Sequence, residues 1–144
     1  MTDPARASFL ERLRSEGGRR YHDRHPFHVA MHEGKLRPEQ LRHWVRNRYY
    51  YQSRIPLKDA LILAKAEDTS FRRRWIRRIH EQDGSASGEG GLEAWLKLGE
   101  AVGLDRRELV VHRGVVRGVR FACDAYVELV ARSSLLEAVA SSLT

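Results

Sequence analysis

Leu41, Trp44, Val45, Arg48, Tyr49 and Gln52 recur at spacings of three and four, the signature of residues sharing one face of a helix. That face is apolar at its start and then acquires a guanidinium and a carboxamide. Burying such groups is costly unless they meet partners. Two readings are open: the stripe lines a polar cavity, or Arg48 snorkels to solvent while Gln52 sits at the boundary.

The same helical period dominates the rest of the chain, and no strand-like alternation is long enough to build a sheet. Ala5 to Glu16 reads as an amphipathic helix with Phe9, Leu10 and Leu13 on one side, closed by Gly17-Gly18. Pro26 stands near a helix start within a mixed segment. Pro38 opens a long helix to about Arg54, and Pro56 interrupts or restarts it. Asp68 or Thr69 caps the next helix, where Phe71, Trp75, Ile79 and Gln82 form a stripe with Arg78 close by. After a glycine-rich turn over 83–91, Leu92 to Val102 is a helix stopped by Gly103. Asp105 with Glu108 and Ser134 with Glu137 look like capping boxes. Between them, Val115 to Arg132 carries Phe121, Ala122, Ala125, Tyr126 and Leu129 at helical spacing. Leu135, Val139 and Leu143 are still recurring at Thr144, the pattern expected of a C-terminally truncated bundle. The expected class is all-α, with roughly six or seven helices.

At 144 residues the chain suits a single helical domain over 1–144. Its 42% hydrophobic and 31% charged residues are those of a globular protein. No apolar run is long enough to span a bilayer, and Met1-Thr2-Asp3-Pro4 starts no apolar signal region, so a cytoplasmic location is expected. The lone Cys123 offers no disulfide and no metal cluster. A net charge of +7 points to nucleic acid, an anionic protein partner or a polyanionic small molecule. The arginines at 72–74 and 77–78 match no base-reading pattern, which makes nucleic acid the lesser alternative.

His22, His25, His28 and His32 cluster early, but the HExxH and ExxH ligand patterns are absent and Pro26 breaks the register. They read as ordinary imidazoles and not as a metal site. His22, beside Tyr21, is the best candidate for proton transfer because imidazole titrates near neutrality. Arg48, Lys58 and Arg78 come from successive helical segments. Were they to converge, their charges would repel one another in an empty pocket, and an anionic occupant would be needed. Gln52 and Tyr126 could add neutral hydrogen bonds.

Tyr21-His22-Asp23-Arg24-His25-Pro26-Phe27-His28, Asn47-Arg48-Tyr49-Tyr50-Tyr51-Gln52, Ile55-Pro56-Leu57-Lys58-Asp59, the stretch from Arg73 to Gly84, Gly90-Gly91-Leu92-Glu93-Ala94-Trp95-Leu96 and Ser141-Ser142-Leu143-Thr144 together resemble the pyrroloquinoline-quinone synthase family. The resemblance covers nearly the whole chain from about residue 8, in uninterrupted order. It implies a compact helical bundle like that of haem oxygenase, without haem, in a homo-oligomer. The implied activity is the final step of pyrroloquinoline quinone biosynthesis: ring closure and dioxygen-dependent oxidation of a tricarboxylated quinone precursor, without metal or organic cofactor. The implied substrate-binding residues are Tyr21, Arg48, Gln52, Lys58, Arg78, Gln82 and Thr144, and the implied catalytic residues are His22 and Tyr126. Gln82 departs from the family's usual histidine, and a carboxamide cannot exchange a proton near neutral pH. The family continues well beyond the length of this chain and supplies further pocket residues there. The chain therefore resembles an N-terminal portion, expected to have little or no turnover alone. A non-catalytic helical binding or scaffold protein is the alternative reading.

Overall fold

The computed structural model describes residues 4–142, among which there are eight α-helices, one 3-10 turn and no strand. Leu143 and Thr144 lie outside the described residues. The chain forms two compact units, Met1–Arg37 and Pro38–Thr144.

The N-terminal unit holds α1 (Pro4–Arg20), a 3-10 turn (His22–Arg24) and α2 (Pro26–His32). The expected stop of α1 at Gly17-Gly18 does not occur. Neither glycine takes a left-handed φ, and Arg19 and Arg20 both bond the Glu16 carboxylate while complementing the helix C-terminus. Pro26 takes the first turn of α2, where its missing N–H costs nothing, and His25 Nδ1 accepts from the Phe27 amide at 3.2 Å.

In the second unit α3 (Pro38–Lys65) packs against α4 (Thr69–Asp83), α5 (Gly90–Ala101), α7 (Arg117–Arg132) and α8 (Leu135–Ala140), while α6 (Arg106–Val110) packs on α5. The 28-residue α3 runs straight through Pro56, contrary to the expected break. A proline inside a helix deprives the carbonyl four residues earlier, here Gln52, of its donor. Val45, Tyr49, Gln52, Pro56, Asp59 and Ile62 form one unbroken buried stripe along α3, and burial of its apolar members offsets that loss.

Three clusters flank this helix. Val45 and Tyr49 pack with Leu96, Leu104 and Leu109; Ile62 with Trp75, Val130 and Ala138; and Tyr50 with Val115 and Cys123. On α7 the buried side is Cys123 and Val130 with Tyr126 half-buried, whereas Phe121 and Leu129 are exposed.

The caps follow local chemistry. Asp68 accepts from the Ser70 and Phe71 amides, and the Ser134–Glu137 box is complete in both directions. Asp105 caps α6, but Glu108 pairs with Arg113 at 3.3 Å, so only half of the expected box forms. Gly103, at φ 84, ends α5 with Leu104 N–H on the Gly99 carbonyl and Gly103 N–H on that of Glu100. α8 stops at Ala140, before the apolar recurrence the sequence suggests.

His112 has a left-handed φ of 56° and packs edge-on to Tyr50, with ring centroids 4.9 Å apart. Burial, then the Arg54 and Arg120 guanidiniums, push its imidazole below the ordinary value of 6.5, against smaller opposing effects of the Leu109 backbone and Asp124. In the unfolded chain the same imidazole takes up a proton first as pH falls. Its contribution to stability is therefore present above pH 6.5 and is lost as pH falls through the lower folded value.

Two predictions follow from the backbone and from this imidazole. Gly90 has φ 87°, and a β-carbon there would lie 2.4 Å from the Gly84 nitrogen and 2.6 Å from the Gln82 carbonyl oxygen. Gly90→Ala is expected to destabilise by about 2 kcal/mol or more in urea unfolding, because backbone atoms cannot yield as a side chain would. For His112, the urea midpoint should fall between pH 7 and pH 5, and His112→Asn should flatten that dependence. Asparagine is the suitable probe because it tolerates positive φ.

Candidate functional site

Asp59 is fully buried, and a buried carboxylate is unfavourable unless charge and hydrogen bonds compensate it. Three donors do so. Lys58 Nζ lies 3.0 Å from Oδ1, Arg78 Nε lies 3.3 Å from Oδ2, and the Trp75 indole N–H donates to Oδ1 at 3.1 Å. Adjacent helical residues do not face each other, so the Lys58 pair depends on its long stem folding back. That ammonium is itself almost fully buried, 5.8 Å from the Tyr126 ring centroid.

Arg78 leans over the Trp75 ring at 4.8 Å, and its Nη2 donates to the Ser142 carbonyl at 3.4 Å. Its side chain remains 37% accessible, so the guanidinium bridges a buried anion and solvent. The Tyr126 hydroxyl donates to the Ser141 carbonyl at 2.7 Å and lies 3.2 Å from Ser142 Oγ. Lys58, Arg78 and Tyr126 are thus gathered by α3, α4 and α7 at the end of α8.

Arg48 is exposed and stacks on Tyr51, its guanidinium carbon 4.5 Å from the ring centroid. Burial pushes the Tyr51 phenol up; Arg48 and, more weakly, Arg78 oppose this, while Tyr126 and Cys123 add to it. Tyr51 therefore lies in the field of both guanidiniums. Gln52 is buried, and its Oε1 has no partner among the described residues. A buried, unpaired amide oxygen is a costly feature unless a donor arrives.

Gln82 lies on α4, four residues after Arg78. Its buried Oε1 also has no partner among the described residues, and it lies against Gly91, where a β-carbon would come within 2.9 Å of it. Tyr21 and His22 belong to the N-terminal unit. There His22 is exposed, 4.4 Å from the Tyr21 ring and 4.2 Å from that of His28. Thr144 lies outside the described residues. Among those residues, no group of three or more His, Cys, Asp and Glu is placed to hold a metal ion. An open apolar hollow of about 270 Å³ between Leu63, Thr69, Arg72, Arg73 and Ile76 includes none of the candidate residues.

One expectation is corrected. Lys58 and Arg78 do not face each other uncompensated, because Asp59 stands between them. The signal for Asp59 lies in the stripe that begins at Leu41: from Gln52, spacings of four and three lead through Pro56 to Asp59. Pro56, a residue that ordinarily breaks a helix, conceals the continuation of that stripe. Tyr51 lies one position off that face and carries no periodic signal.

The family model described as "TENA/THI-4/PQQC family" matches residues 10–144. A "Pyrroloquinoline-quinone synthase" of Rhizobium rhizogenes is 54% identical over 139 residues, 96% of this chain and 56% of that protein. Another of that name, from Pseudomonas aeruginosa, is 55% identical over 96% of this chain and 55% of its own length. A "Bifunctional coenzyme PQQ synthesis protein C/D" of Methylorubrum extorquens is 52% identical over 92% of this chain and 36% of its own length. The chain thus spans about half the length of the synthases it matches.

Trp75→Phe removes one donor from a buried carboxylate while preserving ring bulk. It is expected to cost about 1.5–3 kcal/mol in chemical denaturation, the range for a hydrogen bond to a charged group.

Proposed function

The chain belongs to the TENA/THI-4/PQQC family, and from that premise we propose that it supplies part of the binding site of an enzyme completing pyrroloquinoline quinone. The proposed reaction is ring closure and dioxygen-dependent oxidation of a tricarboxylated quinone precursor, without metal or organic cofactor. The observation that carries this reading is Arg78, anchored through Nε on a buried carboxylate while its side chain stays in part open to solvent. A guanidinium held in this way is pre-oriented for a second carboxylate.

In this reading Arg48, Lys58 and Arg78 receive the ligand's carboxylates, and Thr144 contributes a hydroxyl. The buried Gln52 Oε1 accepts from a ligand N–H or O–H, and Tyr21 and Gln82 complete the polar contacts. His22 is the proposed proton-transfer group, since the Tyr126 hydroxyl already donates to the Ser141 carbonyl. Fixed donors around an electron-rich quinol would stabilise its anion during oxidation. Further parts of the proposal are that residues 1–144 form part of one longer enzyme domain, that the enzyme is a homo-oligomer, and that it is cytoplasmic. Among the described residues, no helix is long and apolar enough to cross a membrane.

A second reading, binding without turnover, is favoured by one feature. Gln82 occupies a position where the resemblance implies histidine, and it cannot exchange protons near neutrality.

Titration with pyrroloquinoline quinone, paired with oxygen uptake on the tricarboxylated precursor, separates these readings. Arg78→Ala is expected to weaken quinone binding by roughly tenfold or more, as loss of a charge-assisted hydrogen bond does. Binding without oxygen uptake would select the second reading. Failure of the wild type to bind the quinone at all would sink both.

A further inference from the structure

Asp59 has no role toward the ligand in the reading above, yet it is fully buried and touches both Lys58 and Arg78. Trp75, the third partner, is a neutral donor. Two cations and one anion leave this group a single positive charge. We propose that Asp59 is the resident counter-ion of an anion-binding site: it holds the two cations together in the empty protein and competes with an incoming carboxylate.

The competition follows from the contacts. Among the described residues the anionic partner of Lys58 Nζ is Asp59, at 3.0 Å, and an ammonium carries three N–H donors. Arg78 gives Asp59 its Nε, which leaves the end of the guanidinium to the Ser142 carbonyl and to solvent. A ligand carboxylate arriving there meets two positive charges already partly neutralised from behind. Asp59 thereby sets how strongly the site prefers a polycarboxylate to a less charged molecule. This inference rests on the anion-binding reading above, and it extends it to a residue which determines charge specificity.

The test compares wild type, Asp59→Asn, Lys58→Met and the double variant Lys58→Met/Asp59→Asn. Each is titrated across a salt series with pyrroloquinoline quinone and, separately, with citrate as an unrelated tricarboxylate. Asparagine keeps an acceptor for the Trp75 indole and removes the charge. Asp59→Asn is expected to bind both probes roughly five- to tenfold tighter at low ionic strength, with a steeper salt dependence. If the unpaired ammonium prevents that variant from folding, the double variant compared with Lys58→Met carries the same test. There the double variant should bind tighter by a similar factor. Equal affinities and salt dependences within either pair overturn the proposal, as does a change confined to melting temperature. Absence of polycarboxylate binding by every protein overturns it too. Citrate binding with the expected Asp59 effect, but no quinone binding, would sink the quinone assignment and leave the role of Asp59 standing.

Discussion

A carboxylate with no access to water has to be satisfied by the protein, and Asp59 is satisfied from two helices at once. Its requirement dictates much around it. Trp75 must turn its indole N–H toward α3, which sets the rotation of α4. Arg78, one turn later, can then reach the same carboxylate and continue to the Ser142 carbonyl beyond α8. The apolar cluster of Ile62, Trp75, Val130 and Ala138 packs around the same Trp75. Removing one member of a buried ion pair costs far more than an exposed pair is worth, because a naked charge is left behind. The core and the candidate site consequently share their most sensitive residue.

The continuity of α3 is the second condition. If Pro56 ended the helix, Gln52 and Asp59 would lie on separate segments, and nothing would fix their angular relation. In one helix they are seven residues apart and thus on the same face, two turns from each other. The proline has one further effect. It removes the N–H that would bond the Gln52 carbonyl in a regular helix, and the side-chain Oε1 of the same residue has no partner among the described residues.

What was legible in the sequence divides along these lines. Caps are local, so Asp68, Asp105, Ser134 and Gly103 could be read from their neighbours alone. The all-α class followed from the period, and Arg48, Lys58 and Arg78 were visible as cations close to apolar stripes. The fate of Pro56 was not legible, because a local penalty was set against tertiary burial that only the packed helices supply. Asp59 was hidden for the same reason. An aspartate following a lysine reads as surface charge until the stripe is carried across the proline. Gly17-Gly18 misled in the opposite direction: the glycines permit a stop but do not impose one, and the Glu16 pairs of Arg19 and Arg20 favour continuation.

The positive charge of +7 takes on a different meaning once its arginines are located. Arg72 donates to the Ala66 and Glu67 carbonyls beyond the end of α3. Arg54 and Arg120 lie over the Tyr50 ring at 4.4 and 4.9 Å, and the Tyr50 hydroxyl bonds Asp124 at 2.7 Å. Arg78 is bound to Asp59, and Arg106 pairs with Glu93. These guanidiniums act as polar staples between helices, each with its own carbonyl, ring or carboxylate. A face that reads a phosphate backbone needs cations whose counter-ions are mobile, since their release drives binding. Cations with fixed internal partners contribute little to such release. In the proposed site the same fixed partners would favour a small anion that fits the remaining donors, and there Asp59, more than net charge, would determine what is held.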